Sequence, residues 1–229
     1  MSRPGFSEGR SPRTSGAATL AVVATVLFIV SVVVLHFVKS DLDPSWHFIS
    51  EYELGKNGWI MQAAFLALAV GNFSLLAAIR PALNGASGWI GILLYIVGAT
   101  GVVLGGLFVP DPMNTAPESL SLSAKLHNLG GGLGLAGFVG TVIFSVKLIR
   151  NGNWRPFRKS VLLATAILVL GFLVSFISIA ALAAKSKGVF GPDTPVGWPN
   201  RIGILAGCLW IIIIARQVRM AARADLPLS

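Results

Sequence analysis

The chain has 229 residues, of which 54% are hydrophobic and 12% charged, with a formal net charge of +9. Soluble domains average about 25% charged residues, so an ordinary water-soluble domain is excluded. The single cysteine, Cys208, excludes an internal disulfide and a multi-cysteine metal centre. Basic residues gather at the ends of apolar runs without the aromatic interleaving of a nucleic-acid surface, so nucleic acid is not an expected partner.

Residues 1–15 are rich in Gly, Pro, Ser and Arg and carry Arg3, Arg10 and Arg13. That composition cannot bury a core and reads as a disordered basic tail. The first span follows, Ala17 to Val38, interrupted only by Thr19, Thr25, Ser31 and His36. About 20 apolar residues cross the hydrocarbon core. The run exceeds the apolar stretch of a signal peptide, about 7–15 residues, and no small-residue cleavage site follows it, so a retained helix is expected.

The connection after it, Ser40 to Gly58, is acidic and aromatic. Pro44 and Gly55 bracket a stretch expected to form a short interfacial helix. Trp46, Tyr52 and Trp59 suit the headgroup layer, where amphipathic rings prefer to sit. The second span runs from Trp59 to Ile79 and ends at Arg80-Pro81. The third runs from Trp89 to Val109 and stops at Pro110-Asp111-Pro112, since proline lacks the N–H a helix needs. The fourth covers Leu126 to Leu148, the fifth Val161 to Ala184 and the sixth Trp198 to Ala215. The expected fold is all-α: a polytopic bundle of six transmembrane helices over residues 16–217, with a short cytoplasmic tail at 218–229.

Orientation follows from Lys and Arg. With the N-terminus inside, twelve of them fall on the inner segments and six on the outer. This bias places both termini in the cytoplasm and the protein in the cell inner (plasma) membrane. Seven of the nine acids then lie outside.

No Asp, Glu, Lys or Arg lies deep in a span, which counts against an ion-coupled transporter. Gln62, Asn72, Tyr95 and Thr100 are the main interior polar groups, with interhelical hydrogen bonding as their expected role. The pairs Gly101/Gly105, Gly130/Gly134 and Gly203/Gly207 have the small-xxx-small spacing that lets helix backbones approach. There is no internal repeat of the kind that builds two-halved transporters.

The outer segments deliver polar groups to one level. Asp111 ends the third span, His127 opens the fourth, and Arg201 opens the sixth. Ser50, Tyr52, Asp111, His127 and Arg201 are expected to converge. Asp111 beside His127 would orient an imidazole for acid–base work, with Ser50 or His47 assisting. His47, Asp111 and His127 together are weak candidates for a metal site. No cofactor is expected, and three histidines are too few for two bis-histidine haems. No zinc-protease, hydrolase-elbow or phosphate-loop motif is present.

Ile49-Ser50-Glu51-Tyr52-Glu53-Leu54-Gly55, followed by Gly58-Trp59-Ile60-Met61 and Ala64-Phe65, resembles the signature of a prokaryotic six-span family, domain of unknown function 998. Phe108-Val109-Pro110-Asp111 with Leu126-His127 resembles its second element, although Val109 intervenes between Phe108 and Pro110. Asn200-Arg201-Ile202 resembles its third. The resemblance implies six spans and membrane residence, and no activity.

Three functions fit. The first is binding of a lipid, another amphiphile or a partner protein at an extracytoplasmic site formed by Ser50, Glu51, Tyr52, Asp111, His127 and Arg201. The second is an intramembrane hydrolase or lipid-modifying enzyme built on Ser50, Asp111 and His127. The third is a small-solute transporter. Membrane lipids are expected partners, with a protein partner or homo-oligomer as a further possibility.

Overall fold

A computed structural model describes residues 12–224. Residues 1–11 and 225–229, which hold most of the expected basic tail and the end of the expected C-terminal tail, lie outside the described residues. The rest is helical: α1 (Pro12–Val38), α2 (Trp59–Ile79), α3 (Gly85–Leu107), α4 (Leu122–Arg150), α5 (Arg158–Lys185) and α6 (Gly197–Arg223). Six helices among the described residues are long and apolar enough to cross a membrane, so the protein is a multi-pass membrane protein.

Helices outrun the apolar runs that mark them. α1 begins at Pro12, inside the stretch expected as tail, and α6 continues to Arg223, past the expected limit at 217. Hydropathy marks only the part of a helix that lies in hydrocarbon. The helix itself persists to its capping residue. At α4 that residue is Ser121, whose hydroxyl accepts from the Ala124 amide at 3.0 Å and starts the helix at Leu122. α1 is valine-rich, and β-branched side chains disfavour helix in water. In hydrocarbon every backbone N–H and C=O needs an internal partner, and the helix supplies it. Leu27, Val30 and Phe37, 54%, 50% and 78% exposed, form the lipid-facing side of that helix.

α1 packs on α2 and α6, α3 on α4 and α2, and α5 on α6, while α4 and α5 touch sparingly. The closest seam is between α3 and α4. A methyl on Gly98 would lie 2.3 Å from the Gly137 Cα, and one on Gly101 would lie 2.4 Å from the Gly130 carbonyl oxygen. Only glycine permits this approach, and van der Waals packing is what associates helices in lipid. The small-residue pairs therefore divide their work. Gly101 and Gly130 pack, whereas a methyl on Gly134 or Gly207 would meet nothing within 4 Å.

The interior polar residues differ from expectation. Asn72 bonds within its own helix, Nδ2 to the Leu68 carbonyl at 2.8 Å. Thr100 is exposed, and the Tyr95 hydroxyl is buried without a hydrogen-bond partner. The buried interhelical bond is instead Trp210 Nε1 to Ser145 Oγ, 3.0 Å.

The three connections α1–α2, α3–α4 and α5–α6 meet at one end of the bundle. The Met113 amide donates to Glu51 Oε1 at 3.3 Å, Asn114 Nδ2 donates to the Phe190 carbonyl at 2.8 Å, and the Gly197 amide donates to the Ser45 carbonyl at 2.9 Å.

Candidate functional site

The expected short helix in the first connection is present as a 3-10 turn, Ile49–Glu53. It is held from both sides. Glu51 caps its start: Oε2 accepts from the Phe48 amide at 3.1 Å and from His47 Nδ1 at 2.9 Å. Asn200 Oδ1 on α6 accepts from the Ile49 amide at 3.2 Å. Gly197 lets α6 start hard against the connection, since a methyl there would lie 2.3 Å from the Pro44 carbonyl oxygen.

This buttressing aims Arg201, one turn into α6. Its Nε donates to His36 Nε2 at 3.0 Å, one terminal nitrogen donates to the His47 and Gly197 carbonyls at 2.7 and 3.1 Å, and the other donates to the Tyr52 hydroxyl at 3.0 Å. The Arg201 guanidinium lies 5.5 Å from the centroid of the Tyr52 ring and 5.8 Å from that of Trp198, within cation–π range. Arginine carries five N–H donors. Four are used here, and among the described residues no carboxylate lies within ion-pairing distance of Arg201. The charge is thus held in place by neutral partners.

Tyr52 was expected in the headgroup layer with Trp46 and Trp59. It is fully buried, and its hydroxyl meets Arg201, because the 3-10 turn points it inward. Burial raises its pKa above the ordinary 10, with Arg201 pulling the other way, so the phenol keeps its proton at neutral pH. Trp59 is exposed, and Trp46 stacks on His47 at 3.6 Å between centroids.

Below Arg201, between α1 and α6, runs a groove of about 300 Å³. Its walls include Phe28, Val32, Val33 and Leu205, and His36, Trp198 and Arg201 stand at its polar end.

A second cluster sits on the far side of the 3-10 turn. The Glu53 side chain has no exposed surface, and neither carboxylate oxygen has a hydrogen-bond partner among the described residues. Burial pushes its pKa up to about 8, so it is a neutral acid at pH 7. His127 Nδ1 lies 3.9 Å from Glu53 Oε2, but its hydrogen bond goes to the Phe108 carbonyl at 2.7 Å. The buried Lys39 donates to the carbonyls of Leu54 and Lys56.

The expected pairing of Asp111 with His127 does not form. Asp111 accepts from the Ser121 amide at 2.7 Å and the Ser121 hydroxyl at 3.0 Å, so it secures the cap of α4. Ser50 is half-buried and makes no side-chain hydrogen bond among the described residues. His47, Asp111 and His127, the weak metal candidates, each serve a different partner, and no cluster of three His, Cys, Asp or Glu occurs among the described residues. Of the expected site residues, Tyr52 and Arg201 meet directly and Glu51 braces them.

Sequence reasoning missed two participants. His36 read as an interruption of an apolar run, although it sits in the last turn of α1 at the depth of Arg201. Glu53 read as one of several loop acids, and nothing in its spacing distinguishes a buried carboxyl from an exposed one.

The sequence model of DUF998, described as a protein of unknown function, matches residues 22–217. No curated protein and no solved structure matches the chain.

Proposed function

We propose that this chain, which belongs to the DUF998 family, binds an anionic lipid, with the headgroup at Arg201 and an acyl chain in the α1–α6 groove. The observation that carries this is a guanidinium at the polar end of an apolar groove, in no ion pair among the described residues. Charge-assisted hydrogen bonds from arginine to phosphate or carboxylate oxygens are among the strong ones, and here one N–H remains as the donor for them. The groove's volume of about 300 Å³ is at the lower end of ligand pockets, which span about 300–1,000 Å³. That size suits one chain rather than a whole lipid.

The charge bias supports a reading in which this end of the bundle faces outside the cell and the protein resides in the plasma membrane. Trp198, half-exposed beside Arg201, is placed to mark the headgroup layer. Tyr52, His36 and the His47 carbonyl hold the fork in position before the lipid arrives, so little ordering entropy is lost on binding. The test is lipid analysis of the purified protein. Enrichment of an anionic phospholipid over the bulk membrane supports the reading, and a bulk-like lipid profile contradicts it.

A further inference from the structure

A recess of about 450 Å³ opens at the end of the bundle opposite Arg201, between the first turn of α3 and the last turns of α4. Ser87, Lys147 and Arg150 stand on its polar side. Val142, Ile143 and Val146 line it with an apolar wall that runs from those cations along α4, and Val146 is 40% exposed.

The cations here have no anionic partner among the described residues. Lys147 is half-buried and Arg150 exposed. Neither makes an ion pair or a side-chain hydrogen bond among the described residues. All seven acids of the described residues lie in the three connections at the Arg201 end.

The start of α3 adds to this charge. Asn84 is its N-cap residue, and an asparagine there ordinarily accepts from a first-turn amide. Here no side chain caps the helix, and the Asn84 amide nitrogen donates to the Pro81 carbonyl at 3.3 Å. The N–H groups of a first turn carry the positive end of the helix dipole. The Lys147 ammonium stands 3.9 Å from where a methyl on Gly85 would lie, so a cation sits over that positive end. Like charges drawn together with no carboxylate between them are relieved by an anion.

The sum of charges selects the anion. A helix end is worth about half a charge, positive at the start of α3 and negative at the end of α4, so the two offset. The full charges of Lys147 and Arg150 remain. A phosphomonoester carries about −1.5 to −2 near pH 7 and matches them. A phosphodiester, with a single charge, leaves one cation unmatched.

We infer that this recess binds a lipid phosphomonoester, with the phosphate between Lys147, Arg150 and the first-turn amides of α3 and an acyl chain along Val142, Ile143 and Val146. Helix N-termini and basic side chains both hold phosphate, and basic pockets between membrane helices take anionic headgroups. Free phosphate shares the headgroup chemistry but leaves the apolar wall uncovered. The inference does not rest on the lipid proposed for Arg201, which lies at the other end of the bundle.

The test is native mass spectrometry of delipidated Arg201→Gln protein, with the native protein alongside, so that failure at Arg201 and failure here are read separately. One arm is titrated with phosphatidic acid, a second with a phosphatidylglycerol of the same chains and a third with inorganic phosphate. The expected result is a one-to-one adduct with phosphatidic acid, tighter than with phosphatidylglycerol. Lys147→Gln with Arg150→Gln should weaken it about tenfold or more, the scale of one charge-assisted hydrogen bond. Ser87→Glu keeps both cations and sets a carboxylate in the first turn of α3, where negative charge is stabilising. It should weaken phosphatidic acid binding to the same extent and raise the melting temperature of the lipid-free protein. Equal binding of the two lipids, or phosphatidic acid binding unchanged in both variants, overturns the inference. Saturation by inorganic phosphate with no added affinity for the lipid overturns it as well, because it assigns a soluble anion.

Discussion

Arg201 Nε lies 3.0 Å from His36 Nε2, a bond that joins the last turn of α1 to the first turn of α6. Arginine only donates, so Nε2 of His36 accepts and its proton resides on Nδ1, which lies 2.6 Å from the Val32 carbonyl. The histidine is therefore an acceptor fixed by its own helix, and it sets the plane of the guanidinium. His36→Ala removes this acceptor. Hydrogen bonds between helices in membranes are worth about 0.6 kcal/mol on average and up to about 1.7. A loss of about 1 kcal/mol is predicted in detergent unfolding, together with weaker anionic-lipid binding. Unchanged lipid binding in a folded variant would show that His36 does not position Arg201.

Glu53 makes stability depend on pH with a defined sign. Its carboxyl titrates at about 8 when folded, against an ordinary value of 4.5. The folded protein therefore binds more protons than the unfolded one between those values, and stability falls as pH rises through that window. The contribution is complete below 4.5, is lost progressively up to about 8, and is flat beyond. Glu53→Gln mimics the neutral acid. Its melting temperature is predicted to match the native protein near pH 4.5 and to exceed it above pH 8. Parallel profiles for the two proteins would contradict the buried neutral carboxyl.

Asp111 and Ser121 test the hydrolase reading against the structural one. Asp111 holds Ser121, and Ser121 caps α4. Asp111→Ala and Ser121→Ala are each predicted to cost about 1 kcal/mol, the usual worth of an N-cap. The double variant is predicted to cost less than the sum, because the two residues act as one unit. Anionic-lipid binding is predicted to survive in all three. Loss of binding with stability intact would return Asp111 to the site.

The α3–α4 seam tests the packing. A methyl at Gly98 has no room against Gly137. Gly98→Ala is predicted to destabilise by about 1–3 kcal/mol, the usual cost of overpacking. Gly134→Ala, which faces open space, is predicted to be neutral or stabilising because alanine is the better helix former. Equal effects at both positions, measured by thermal unfolding, would refute the division of the glycines into packing and open faces.

The six helices were legible because hydrocarbon imposes one solution on long apolar runs. Arg201 was legible for a related reason: a lone arginine at the edge of an apolar run must find partners. The partners were not legible. His36 lies 165 residues away from Arg201, and nothing in the local pattern reports which helices are neighbours. Asp111 and His127 diverge because Asp111 lies in the connection beyond the end of α3 and is taken up by the Ser121 cap, while His127 bonds the Phe108 carbonyl, and sequence spacing reports neither partner. The burial of Glu53 and of the Tyr95 hydroxyl depends on packing between elements, which residue spacing does not encode.

The most direct measurement is lipid titration of the delipidated protein and its Arg201 variants, with an anionic and a zwitterionic phospholipid of the same chains. The native protein is predicted to bind the anionic lipid more tightly. Arg201→Gln should weaken that binding about tenfold or more, the scale of one charge-assisted hydrogen bond. Arg201→Lys, which keeps the charge but not the fork, should fall between them. Equal binding of the two lipids by the native protein, or full anionic binding by a folded Arg201→Gln variant, would contradict the proposed site.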